Sequence, residues 1–89
     1  MIWAVEPDPR ARREIGELRD PARREARHLL EDLHDFPLEL ADTILEGHEG
    51  LYAARSYRGR YRMLYRVSPK QRRVIVLRVR PRETAYEGL

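Results

Sequence analysis

Arginine and tyrosine carry the chemistry available to this chain, and most of it falls within residues 51–82, LYAARSYRGRYRMLYRVSPKQRRVIVLRVRPR. Guanidinium forks grip phosphates in a bidentate way and stack on bases, while phenol rings offer faces for unpaired bases. Arg55, Arg60 and Arg62 cluster around one turn, and Tyr52, Tyr57, Tyr61, Tyr65 and Tyr86 are interleaved with the basic residues. If Arg58-Gly59 closes a hairpin, Tyr57 faces Arg60, Arg55 faces Arg62 and Ala53 faces Leu64. Two arginines directly opposite repel unless solvent screens them or an anion sits between. The cluster therefore reads as an anion site, against the plain alternative of a solvated face. For Tyr61 and Tyr65 core packing is the simpler expectation; Tyr86 lies outside the strands and has less structural reason to be there.

Other chemistries lack their residues. No cysteine is present, so no disulfide or thiol chemistry is available. His28 and His34 lie on different faces of a predicted helix and His48 in a loop, so no metal site is expected. No nucleophile–histidine–carboxylate arrangement and no phosphate-binding glycine loop occurs. No apolar run approaches the roughly 20 residues of a membrane span, and Met1 to Val5 is too short for a signal peptide. A cytoplasmic protein is the expectation.

Charge is divided unevenly. Residues 1–50 hold 7 basic and 13 acidic residues, a balance of −6; residues 51–89 hold 11 and 2, a balance of +9. A half so basic implies a polyanion or an acidic protein as partner. Only one of the 18 basic residues, Lys70, is lysine. Arginine outside the strands, on the helices, is consistent with a general bias towards that residue.

The elements that must hold these groups follow from periodicity. A chain of 89 residues is expected to form one domain, 1–89, with a modest core. Met1 to Glu6 reads as a first strand. Asp8-Pro9 is a helix start, Asp8 as N-cap and Pro9 at the first helical position, with Ala11, Ile15 and Leu18 on one face. Asp20-Pro21 repeats the signal for a second helix to about Asp35, with Ala22, Ala26, Leu29, Leu30 and Leu33 as its stripe. Residues 38–50 are a connection with room for one helical turn at Ala41 to Glu46. Three strands follow: Leu51 to Tyr57, the alternating Arg60 to Val67, and Arg73 to Arg80. The unbroken Val74-Ile75-Val76-Leu77 suits an interior strand covered on both faces. The tail Arg82 to Leu89 is irregular. The fold class is α+β, in the order β-α-α-β-β-β: an antiparallel sheet with a helical hairpin packed on one face, and the opposite face or the cleft beside it left for the arginines. The first strand pairs with the last.

This order, with GLYAAR, GRYRMLYRV and VIVLRVRPRETAY, resembles the RelE/ParE toxin superfamily over nearly the whole chain. The RelE branch implies a toxin of a type II toxin–antitoxin system: a ribosome-dependent endoribonuclease that cuts mRNA in the A site. There the RNA's own 2′-hydroxyl attacks the adjacent phosphate, with no metal or other cofactor. The implied partners are a cognate antitoxin, mRNA and the ribosome. On this resemblance Arg62, Arg82, Tyr86 and Arg55 are the catalytic candidates, and Arg58, Arg60 and Arg80 the further RNA-binding residues. Ala53 and Arg55 stand where the best-studied pattern has lysines. Arginine does not give up its proton, so Tyr86 becomes the candidate for proton transfer, with Arg55 and Arg62 acting on it. The ParE branch implies instead a DNA gyrase inhibitor without catalysis, and a third reading is a degenerate homologue that only binds antitoxin.

Overall fold

Alternating hydrophobicity in the second half and helical periodicity in the first resolve into five strands and two helices in the computed structural model, which describes residues 2–88. The elements are β1 (Ala4–Pro7), α1 (Pro9–Glu17), α2 (Ala22–Leu33), β2 (Thr43–Ile44), β3 (Leu51–Ser56), β4 (Tyr61–Ser68) and β5 (Arg73–Pro81), followed by a 3₁₀ turn, Arg82–Thr84. The sheet order is β1-β5-β4-β3-β2. The meander β3-β4-β5 is antiparallel as expected, but β1 runs parallel to β5, so the sheet is mixed. The first strand begins at Ala4; Met1 and Leu89 lie outside the described residues.

Both helices use their apolar stripes as the sequence indicates. The Asp8 carboxylate accepts from the Ala11 N–H at 3.0 Å, with Pro9 at the first helical position. The second start signal behaves differently. The helix begins at Ala22, so Pro21 takes the cap position without a side-chain hydrogen bond, and Asp20 pairs instead with Arg23 at 3.7 Å. Ala11, Ile15, Ala26 and Leu33 are buried against Met63, Tyr65, Val67, Val74, Val76 and Val79. Burying a leucine such as Leu33 contributes about 1.5–3 kcal/mol. Neither helix is long enough to persist alone in water, so each depends on this face.

Two features of the sheet were not expected. The connection forms no helical turn at Ala41 to Glu46; Thr43–Ile44 adds a fifth, edge strand against β3. Between β4 and β5 the register shifts after Leu64: Leu64 pairs with Arg78 and Tyr65 with Val76, leaving Leu77 of β5 as a bulge. The bulge changes the parity of the strand, so Val74, Val76 and Val79 all reach the helix-facing core. The apolar run is therefore not covered on both faces: Ile75 and Leu77 stay half-buried. The face away from the helices is covered locally, where Ala85 from the tail packs on Ala53 and Leu64 beside Leu45.

Polar groups fix the layers to one another. Tyr65, fully buried, donates from its hydroxyl to the Pro37 carbonyl at 2.7 Å and anchors the segment after α2. Burial pushes its phenol pKa well up, so the hydroxyl stays a donor. Where β1 ends, Glu14 of α1 accepts from the Val79 N–H at 2.9 Å and from Arg78 Nε and Nη2 at 3.0 and 2.7 Å. One carboxylate thus satisfies a strand-edge N–H and neutralises a half-buried guanidinium. Its hydrogen bonds hold the Arg78 pKa up. Among the described residues, no helix is long and apolar enough to cross a membrane.

Glu14→Ala should leave Arg78 and the Val79 N–H without their acceptor and cost about 2–3 kcal/mol in a urea denaturation. A change below about 0.5 kcal/mol would mean that the pair does not hold the helix layer to the sheet.

Candidate functional site

The hairpin β3-β4 has the register that the sequence suggests. Arg55 pairs with Arg62, and Ala53 with Leu64. The turn closes with the Arg60 N–H on the Tyr57 carbonyl at 3.0 Å. Arg62 in turn lies opposite Arg80 of β5. Three arginines therefore stand at one level on three adjacent strands, with Arg55 and Arg80 flanking Arg62.

An anion does sit between the first two, and the chain supplies it. Asp42, just before β2, accepts from Arg62 Nη1 at 2.8 Å on both oxygens and from Arg55 Nε at 3.1 Å. It also accepts from the Arg55 backbone N–H at 3.0 Å and from the Thr43 hydroxyl at 2.8 Å. Burial alone would raise the carboxyl's pKa. The Thr43 hydrogen bond, the Arg62 charge and hydrogen bond and the Arg55 N–H outweigh it, and the net shift is downward. The carboxylate is ionised at neutral pH. The Arg62 side chain is only 15% exposed, and its Nε is buried with no hydrogen-bond partner. That leaves one directed donor unused beside an anion-binding fork.

Asp42 was not singled out from sequence. The signal was indirect: two arginines forced opposite each other demand a counter-charge, and a short acidic connection precedes their strands. Proximity across 13 and 20 residues comes from β2 pairing, which two residues of strand are too short to announce.

The other predicted residues fall into two groups. Arg58, Arg60 and Arg82 line one cleft with Tyr57, Tyr61 and Glu83 at the hairpin tip. The Arg82 N–H bonds the Arg60 carbonyl at 2.9 Å, which ties the start of the tail to that tip. Tyr86 follows Ala85, which is buried on Ala53 and Leu64, and is 38% exposed. It makes no hydrogen bond to Arg55 or Arg62, which are engaged by Asp42 instead. Tyr65 is core, as expected, whereas Tyr61 is half-buried at the cleft. Among the described residues, no group of three or more His, Cys, Asp or Glu is placed to hold a metal ion.

This arrangement of two helices on a five-stranded mixed sheet is shared with solved toxin structures. The chain matches the family model described as ParE toxin of type II toxin-antitoxin system, parDE, over residues 5–86. It belongs to that family, within the RelE/ParE toxin superfamily. The fold is similar to the toxin of the RelBE2 toxin–antitoxin complex from Mycobacterium tuberculosis, at 29% identity and a TM-score of 0.78, covering 92% of this chain and 100% of that one. It is similar to the archaeal RelE–RelB complex from Pyrococcus horikoshii, at 27% identity and a TM-score of 0.73, covering 92% and 97%. The chromosomal ParDE system from P. aeruginosa shares the fold at 14% identity and a TM-score of 0.71, covering 90% and 96%. No curated protein sequence matches the chain.

The Asp42 arrangement has a pH signature. Its folded pKa is depressed, so it adds stability above its unfolded value near 3.9 and loses that contribution as pH falls through the folded value. In a denaturation series from about pH 6 to 2, Asp42→Asn should be less stable than the wild type at neutral pH, and the gap should close towards the acid end. A gap that stays constant with pH would show that the carboxylate's charge is not what Arg55 and Arg62 hold.

Proposed function

We propose that this toxin is an endoribonuclease that cuts mRNA in the ribosomal A site, and that a cognate antitoxin restrains it. The observation that carries this reading is Arg62, held by a carboxylate at 2.8 Å with a buried, unused Nε, between Arg55 and Arg80. Such a fork is built for a phosphate whose charge grows in a transition state. The RelE–RelB and RelBE2 complexes, similar over most of the chain, support an antitoxin partner.

The RNA supplies its own nucleophile. Its 2′-oxygen bonds to the adjacent phosphorus, the bond to the 5′-oxygen breaks, and the products are a 2′,3′-cyclic phosphate and a 5′-hydroxyl. Arg55 and Arg62 neutralise the extra charge on the pentacoordinate phosphorus, and Arg82 holds the phosphate chain with Arg58, Arg60 and Arg80. For a phosphate to reach Arg62, the Asp42 carboxylate must give way. Once released, it loses the cations that lower its pKa and becomes a better acceptor for the 2′-hydroxyl proton. Tyr86, exposed on the tail next to the buried Ala85, is the group assigned to return a proton to the 5′-oxygen.

Arg62→Ala and Arg82→Ala should each relieve growth arrest on induction. In a translation extract each should lower cleavage at A-site codons about 100-fold or more, read by primer extension; Arg82→Ala should leave the melting temperature little changed, and Arg62→Ala should lower it, with loss of the Asp42 pair, but still fold. Both variants remaining toxic while folded would contradict the assignment. The ParE family match favours a second reading, inhibition of DNA gyrase. Loss of supercoiling in a gyrase assay, with mRNA intact, would replace the ribonuclease reading by that one.

A further inference from the structure

We propose that the tip of the β3-β4 hairpin is a nucleobase-stacking subsite. Tyr57 and Tyr61 carry unpaired bases of a single-stranded RNA, and Arg58, Arg60 and Arg82 hold its flanking phosphates. This rests on the polynucleotide reading above and adds to it a second contact, apart from the pair that Asp42 occupies.

Geometry at the tip is the first argument. The Tyr57 and Tyr61 rings lie 6.2 Å apart, tilted by 38°, and the Arg60 guanidinium sits 5.4 Å from the Tyr57 ring centroid. Two tilted rings and a guanidinium thus lie together at the tip, the kinds of group on which unpaired bases stack. Tyr57 lines clefts on both sides of the tip, one against His28 and Asp32 of α2 and one against Pro81 and Arg82. Bases can therefore reach it from the tail side, where Arg82 is tied down through its N–H.

Backbone conformation is the second. Tyr57, Arg58 and Gly59 all have positive φ, at 50°, 56° and 81°. Glycine takes this region freely; tyrosine and arginine do so only against steric resistance. The Gly59 N–H on the Ser56 carbonyl at 3.2 Å and the Arg60 N–H on the Tyr57 carbonyl at 3.0 Å place all three in a four-residue turn whose central positions need this region. The turn thus holds Tyr57, Arg58 and Arg60 on one tight, hydrogen-bonded loop.

Charge is the third. Arg55, Arg62, Arg73 and Arg78 each hold a carboxylate. Among the described residues, Arg58, Arg60 and Arg82 hold none, although Glu83 lines the same cleft. Their charge is available to a ligand. An acidic peptide would use the arginines and leave the two rings as bystanders. Duplex RNA buries its base faces and cannot use them either.

Anisotropy of a labelled RNA hexamer, against an abasic ribose-phosphate chain of equal length, reads the subsite directly. The full-length wild type should bind the hexamer about tenfold more tightly than the abasic chain. Tyr57→Ala should lose that preference while its affinity for the abasic chain stays unchanged, and Tyr57→Phe should keep it. Tyr61→Leu, which preserves apolar volume without a ring face, should also lose it and serves should Tyr57→Ala fail to fold. If folded Tyr57→Ala or Tyr61→Leu binds the hexamer as wild type does, the stacking subsite is wrong and the phosphate site stands. If a polyglutamate peptide displaces the hexamer with equal affinity, independently of the tyrosines, the tip is a protein-binding surface. If the wild type binds neither nucleic-acid chain at low salt, the polynucleotide reading falls, and the subsite with it.

Discussion

A largely buried guanidinium placed directly opposite a second arginine on the adjacent strand needs an anion, and in this protein Asp42 meets that need for Arg62, with the exposed Arg55 facing it. The hairpin register puts Arg55 against Arg62, and β2 delivers a carboxylate to the gap at hydrogen-bonding distance. The site is therefore pre-formed around a negative charge. Its cations are oriented, its geometry is that of a bound anion, and a substrate phosphate would enter by exchange with the carboxylate. Exchange costs less reorganisation than assembling free arginines around a phosphate.

The same logic governs the rest of the sheet. The acidic first half and basic second half suggest an external polyanion when read as charge alone, yet much of the complementarity is internal. Glu6 pairs with Arg73, Glu14 with Arg78, and Asp42 with Arg55 and Arg62. In each case the acid comes from the first half and the arginine from a meander strand. These pairs fasten β1, α1 and the edge strand to the sheet. The arginines left over at the hairpin tip, Arg58, Arg60 and Arg82, mark where outside charge is wanted.

Much of this was legible in the sequence because it rests on local periodicity. Alternation from Tyr61 to Val67 and the glycine at position 59 specify the hairpin and its register. Asp8-Pro9 specifies the first helix, and the family motifs specify the order of elements. What was not legible depends on tertiary context. Thr43–Ile44 is a strand only because β3 offers an edge, the bulge at Leu77 appears only when β5 must serve β4 and the helix layer together, and Asp20 fails to cap because Pro21 occupies the cap position. Asp42 combines these limits, being a loop acid whose role exists only once both its partners are in register.

The central claim is that Asp42 holds the place of a substrate phosphate. A crystal structure of the toxin with a non-cleavable RNA dinucleotide, its 2′-hydroxyl replaced by a methoxy group, tests it most directly. The account predicts a phosphate on Arg62 and the Asp42 carboxylate displaced beyond ion-pair distance. A dinucleotide bound elsewhere, with the Asp42–Arg62 pair intact, would contradict it.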